Sequence, residues 1–235
     1  MDSHATSSKK SSSGRNGKSP SRDRVLVIGL GRFGFSVARS LTAMGHEVLA
    51  VDERADIVQR YASDFTHVVA ADSTDTEALR QIGAEEFDVA VVGIGTDLEA
   101  SVLTVLSLLD LGVEEVWAKA VSGKHAAILE RVGAHYVIRP ESQMGKRVAH
   151  MVAGSMTDFV EFDDFAIART GAPESSYGKT LQDAQLRATY GITIVAVKSG
   201  KSDFEYARAE TVLGPGDELI VSGPTRKVEG FSAQS

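Results

Sequence analysis

Six residues, Gly29-Leu30-Gly31-Arg32-Phe33-Gly34, constrain this chain more than any others, because they follow the apolar run Val25-Leu26-Val27-Ile28 without a gap. An unbroken apolar run of this length reads as a strand buried on both faces, and so does the later run at 88–95. Phe33, Val37 and Leu41, four residues apart, then read as one face of a helix. A GxGxxG stretch between a strand and a helix has a mechanical meaning. Gly29 permits a tight turn, Gly31 lets the backbone approach a pyrophosphate, and Gly34 allows the helix to pack closely on the strand. The helix start then offers free N–H groups to a phosphate. Asp52 closes the next strand candidate, 18 residues after Gly34. A carboxylate there can accept both ribose hydroxyls of a nucleotide, and it repels a 2′-phosphate.

The same alternation continues along the chain. Strand candidates lie at 25–29, 47–52, 67–72, 88–95, 115–120 and 135–140, with helical stretches between them. This is the signature of βαβ units in a parallel sheet. Beyond Pro140 the rhythm changes. A helix is predicted over 142–157, then strand-like residues 159–170, a turn, a short helix over 181–189, and strands at 192–200, 204–209 and 218–223. The predicted class is therefore α/β, a Rossmann-like doubly wound parallel sheet with a second, smaller α+β domain. The expected organisation is a disordered tail at 1–22, a nucleotide-binding domain at 23–140, a connecting crossover helix at 141–158 and the small domain at 159–235.

Composition removes several classes of function. The 235 residues contain no cysteine, so disulfides, thiolate metal sites and cysteine nucleophiles are excluded. The most apolar helical candidate runs only from Ala100 to Leu109 between Glu99 and Asp110, against roughly 20 residues for a bilayer span. The first 22 residues are rich in Ser, Lys, Arg and Gly and lack the apolar core of a signal peptide, so secretion is not expected. Residues 1–24 carry six basic and two acidic groups, which leaves a net charge of −11 on the rest of the formal −7. An acidic body argues against nucleic acid as a partner.

Further candidates gather at the carboxyl ends of the strands, where open sheets bind ligands. Asp72, followed by Ser73, either contacts a base or caps a helix over 75–82. Phe33 beside Arg32, Glu53 beside Asp52, Gly95 after the fourth strand and Lys119 at the end of the fifth complete the candidate nucleotide site. Glu141 follows the sixth strand and is the one candidate metal ligand. Gly178-Lys179-Thr180 imitates the end of a P-loop, but the first glycine of that motif would fall on Pro173, so a turn capping a helix near Leu181 is expected. No GxSxG elbow and no His-rich metal cluster is present. The fingerprint alone would also allow an NAD-dependent oxidoreductase, but no proton donor or substrate pocket for one is evident.

The stretch VLVIGLGRFGFSVARSLTAMGHEVLAVD, together with ADSTD, GTDLEASVLTVLSLLDLG, WAKA and GAHYVIRPESQMG, resembles the RCK (KTN) family. Residues 159–235 resemble its smaller C-terminal domain, TrkA-C. The resemblance implies a non-enzymatic, cytoplasmic regulatory subunit of a Trk/Ktr-type potassium uptake system, peripheral at the inner face of the cell membrane through its pore partner. It implies binding of ATP or ADP, and in some members NAD(H), with dimers assembling into a homo-octameric ring that gates a membrane potassium-pore subunit of the KtrB or TrkH kind. By position it places Gly29, Gly31 and Gly34 on phosphates, Asp52 on the ribose and Asp72 with Ser73 on the adenine side. Arg32 would reach a γ-phosphate across the dimer, and Glu141 would help hold Mg2+, Ca2+ or Na+ near it. Cyclic di-AMP is a possible ligand of the C-terminal domain.

Overall fold

The computed structural model describes residues 24–153 and 156–234. The expected tail at 1–22 lies outside the described residues. Two compact units divide the chain between Arg139 and Pro140.

In the first unit six strands alternate with helices. They are β1 (Arg24–Ile28), α1 (Arg32–Ala43), β2 (Glu47–Asp52), α2 (Ala55–Tyr61), β3 (His67–Ala70) and α3 (Thr76–Gln81), then β4 (Val89–Val92), α4 (Leu98–Asp110), β5 (Glu115–Lys119), α5 (Gly123–Val132) and β6 (Tyr136–Ile138). All neighbours are parallel, in the order β3-β2-β1-β4-β5-β6. Side chains alternate across β1 as a strand demands. Leu26 and Ile28 enter a core with Leu79, Val105, Leu108 and Leu129 from α3, α4 and α5. Val25 and Val27 face the opposite core, closed by Ala38 of α1 and by Ile57 and Tyr61 of α2. The two apolar runs that predicted burial on both faces are buried on both faces, β1 from Val25 and β4 from Ala90 onward.

Several strands are shorter than predicted. The third stops at Ala70 rather than 72, the fourth at Val92 rather than 95, and the sixth at Ile138 rather than 140. The residues beyond those ends leave the ladder at the carboxyl edge and form the loops of the crevice. Because the chain leaves β1 and β4 toward opposite sides, the order reverses between them, and the crevice opens at that point.

The second unit begins with α6 (Pro140–Ala153), which starts two residues before the predicted 142. Pro140 occupies its first position, where a helix has no use for the missing N–H. Arg147 of this helix pairs with Asp158, His150 lies 2.7 Å from Glu229, and its ring stacks on Phe159 at 4.2 Å. The helix expected as a separate connector thus packs on the second unit. There follow β7 (Asp158–Phe162), β8 (Phe165–Gly171), α7 (Leu181–Ala184), α8 (Leu186–Tyr190), β9 (Thr193–Lys198), β10 (Glu205–Tyr206), β11 (Glu218–Pro224) and α9 (Thr225–Ser232). The sheet is antiparallel in the order β10-β9-β11-β8-β7. Stretch 159–170 is a hairpin turning at Asp163, whose φ is 52°. The single helix predicted over 181–189 breaks at Gln185, which sits at φ 49°. Of the predicted strand 204–209, Glu205 and Tyr206 pair with β9, and the next amide, Ala207 N–H, donates to Val195 O at 3.1 Å.

Candidate nucleotide site

The loop between β1 and α1 is built as its glycines require. Gly29 has φ +88°, a conformation L side chains rarely adopt, and its N–H donates to Val51 O at 2.8 Å. A Cβ on Gly34 would lie 1.9 Å from Gly29 O, so no side chain fits between helix and loop. A Cβ on Gly31 would meet nothing within 4 Å. The open space over Gly31 is the side from which a phosphate could approach.

Helix α1 starts without a cap. Helices α3, α4 and α5 each have a side-chain acceptor at the N-terminus, Asp75, Asp97 and Ser122 in turn. Helix α1 has Gly31 there, no side-chain cap and no acidic residue in its first turn. Its first N–H groups keep their positive end available for an anion. Arg32 is its exposed first residue.

Asp52 stands at the end of β2 and joins the loop directly. One oxygen accepts from Leu30 N–H at 2.7 Å and the other from Arg54 N–H at 3.0 Å. Each carboxylate oxygen has a second lone pair, so the group can hold the loop and still accept ribose hydroxyls. Glu53 beside it is exposed. Across the crevice, Lys119 Nζ lies 5.6 Å from the centre of the Phe33 ring, and a Cβ on Gly95 would stand 3.5 Å from the same Nζ. The structure therefore brings Phe33, Gly95 and Lys119 together, as the sequence reading required of one site.

One expectation needs correction. Asp72 does not cap a helix: α3 begins at Thr76 and its cap is Asp75, which accepts from Glu77 N–H at 2.9 Å. Asp72 instead turns its own loop, accepting from the Thr74 amide at 2.9 Å and hydroxyl at 2.6 Å. Those two bonds hold its carboxyl below the usual carboxylate range, so it is an exposed anion. Ser73 is buried, and its hydroxyl bonds to Thr104 of α4 at 2.8 Å. What Ser73 can offer an adenine is backbone, since its side chain faces the interior.

Glu141 sits exposed in the first turn of α6, in the second unit. Among the described residues no group of three or more His, Asp or Glu side chains could hold a metal ion. The P-loop imitation resolves as expected, with Thr180 capping α7 by accepting from Asp183 N–H at 3.1 Å. Gly93 escaped the sequence reading. Its Cβ would lie 2.9 Å from Gly29 O, and its N–H donates to Ile28 O at 2.7 Å. Its signal was available: a glycine ending the strand that pairs with the one carrying the fingerprint. Among the described residues no helix is long and apolar enough to cross a membrane.

Known proteins resemble this chain along most of its length. The TrkA-N domain family matches residues 25–140 and the TrkA-C domain family residues 171–234. The chain is 39% identical over 212 residues to the Ktr system potassium uptake protein C of Bacillus subtilis, covering 89% of this chain and 96% of that one. It is 35% identical over 210 residues to the Ktr system potassium uptake protein A of the same organism, covering 88% and 95%. Among solved structures, the GsuK channel bound to NAD superposes with a TM-score of 0.64 at 18% identity, covering 92% of this chain and 40% of that one. At that identity the likeness concerns the fold, and this chain corresponds to less than half of the channel. With both domain families in order and near full-length similarity to the two Ktr proteins, the chain belongs to the Ktr potassium uptake proteins built from a TrkA-N and a TrkA-C domain.

Proposed function

We propose that this chain is the nucleotide-binding regulatory subunit of a Ktr-type potassium uptake system, in which ATP and ADP bias a ring of copies that gates a membrane potassium pore. The observation that carries the reading is the junction of three parts: an uncapped α1, open space over Gly31, and Asp52 bonded to the loop at Leu30. That set suits a phosphate and a ribose hydroxyl pair in one ligand. The relatives' names supply the potassium system, and a structural neighbour solved with NAD supports a nucleotide in this kind of fold.

ATP and ADP share everything that the glycine loop and Asp52 can touch, so those groups alone cannot select a state. Arg32 is the exposed cation at the loop, and its planar fork suits a terminal phosphate. A groove of about 310 Å3 on the sheet face beside α1, lined by Val37, Leu41, Val89, Val91, Trp117 and Ile138, supports assembly from copies of the chain. Equilibrium binding of ATP, ADP, NADH and cyclic di-AMP to the purified protein tests the ligand. ATP and ADP should bind in the first unit, and failure of both would overturn the reading. Potassium flux through the reconstituted complex tests the switch: Arg32→Ala should bind ADP normally while losing the difference between ATP and ADP. Light scattering that shows only monomer, with and without nucleotide, would refute the assembly.

A further inference from the structure

We propose that His125 is a positioning residue for the nucleotide site: as a neutral imidazole it holds the Val121 backbone, and with it the wall formed by Lys119, Val121 and Gly95, so that acid weakens nucleotide binding. The proposal rests on the nucleotide reading above. His125 is the third residue of α5 and is 1% exposed. Its own N–H donates to Ser122 Oγ at 3.1 Å, while its Nδ1 accepts from Val121 N–H at 3.4 Å. This reciprocal pair is a variant of the capping box, with histidine in the place a glutamate usually takes and the bond reaching one residue further back. The other ring nitrogen, Nε2, is buried and has no partner among the described residues.

The tautomer follows from these contacts. Nδ1 accepts, so the single proton of the neutral ring sits on Nε2. An apolar side chain would fill the same space without a buried, unpaired donor. What the imidazole adds is the bond to Val121. That bond matters because Val121 lines the crevice: a Cβ on Gly95 would lie 3.0 Å from Val121 Cγ1 and 3.5 Å from Lys119 Nζ. The Ala120 N–H donates to Ile138 O at 2.8 Å, so β6 fixes one side of this short segment and His125 fixes its end.

A charged imidazole carries a proton on both nitrogens. Its Nδ1–H would then face the Val121 N–H, donor against donor, and the segment would lose its anchor. Burial holds His125 below the usual histidine range, and no neighbouring charge contributes. The charged groups on the surrounding elements are Glu115 and Lys119 on β5, Arg139 after β6, Asp97, Glu99 and Asp110 on α4 and its cap, and Lys124, Glu130 and Arg131 on α5. The sign is therefore fixed: the ring is neutral at pH 7, and acid forces a proton onto a site that opposes it.

The test measures ATP affinity of the full chain between pH 7.5 and pH 5.0 for wild type, His125→Asn and His125→Leu. Asparagine can place its Oδ1 near the position of Nδ1 and does not titrate. At pH 7.5 His125→Asn should bind ATP like wild type, and His125→Leu about threefold to tenfold more weakly, the worth of one net hydrogen bond. On acidification the wild type should lose affinity beyond the loss seen in His125→Asn, whose profile follows ATP itself. Parallel profiles for these two proteins would overturn the role of His125 alone. A wild type that binds no ATP at any pH would overturn the nucleotide reading and the proposal with it. Nitrogen NMR of the ligand-free protein gives an independent reading that needs no folded variant. The Nε2–H tautomer at pH 7.5 supports the contact, and the Nδ1–H tautomer or an imidazolium refutes it.

Discussion

Two alanine substitutions three residues apart should have opposite consequences. In Gly34→Ala the new methyl would start 1.9 Å from Gly29 O. Ordinary contact needs roughly 3.4 Å, so helix and loop must separate by about 1.5 Å across one of the tightest junctions of the fold. Overpacking of this kind costs about 3 kcal/mol, and against it stands the gain of about 1 kcal/mol that alanine brings to a helix interior. The net loss should be about 2 kcal/mol or more, a fall in melting temperature of about 5 to 10 °C. In Gly31→Ala the methyl meets nothing within 4 Å, and φ is −66°, which alanine adopts freely. Its lower merit as a helix cap and its smaller unfolded-state entropy are both under about 1 kcal/mol and of opposite sign. Gly31→Ala should therefore melt within about 2 °C of wild type while losing ATP affinity by about tenfold or more, because the methyl stands where the phosphate approaches. Thermal melts and ATP titrations of both variants suffice. A Gly34→Ala protein as stable as wild type, or a Gly31→Ala protein with unchanged affinity, would refute the reasoning for that position.

Asp52→Ala removes the acceptor of the Leu30 N–H, on a residue 1% exposed, and should destabilise the first unit by about 1 to 3 kcal/mol in urea as well as weaken ATP and ADP alike. Asp52→Asn keeps one carbonyl oxygen and should lose about half as much stability; equal losses would show that the Leu30 bond is not the cause. Asp97→Ala removes the cap that accepts from Ala100 N–H at 2.9 Å and should cost about 1 kcal/mol by denaturant titration. The hydrogen bond from Arg147 holds Asp158 below the usual carboxylate range, so the stability it adds is present above about pH 4 and is lost as pH falls through the lowered folded value. Both side chains are over one-third exposed, so Arg147→Ala should lose less than about 1 kcal/mol at pH 7 and progressively less as pH falls below about 4, which melts across that range would show.

What could be read in the sequence and what could not divide along a physical line. The fingerprint, its strand and Asp52 are local rules: a turn needs φ above zero at Gly29, a close approach forbids a side chain at Gly34, and each is decided within a few residues. The apolar runs of β1 and β4 announced burial on both faces because a parallel strand covered by helices has no polar face to show. The misreadings fall where two local rules compete. Asp72 and Asp75 are equally good caps by residue type, and only the place where the chain turns off the sheet, after Ala70, gives the cap to Asp75. Gln185 looks like a helix interior residue, yet the geometry of the second unit breaks the helix there into α7 and α8. Not a misreading but equally hidden is the partner of the Ser73 hydroxyl, Thr104, 31 residues away, which no spacing reveals. His125 was hidden for the same reason. The signature Ser122-Gly-Lys-His125 is a cap with an unusual third residue, and only the buried Nε2, which has no partner among the described residues, shows that histidine is present for what its other nitrogen holds. A residue whose role is to fix a neighbour's backbone leaves little trace in composition or periodicity, because its chemistry is exercised on the chain and not on the ligand.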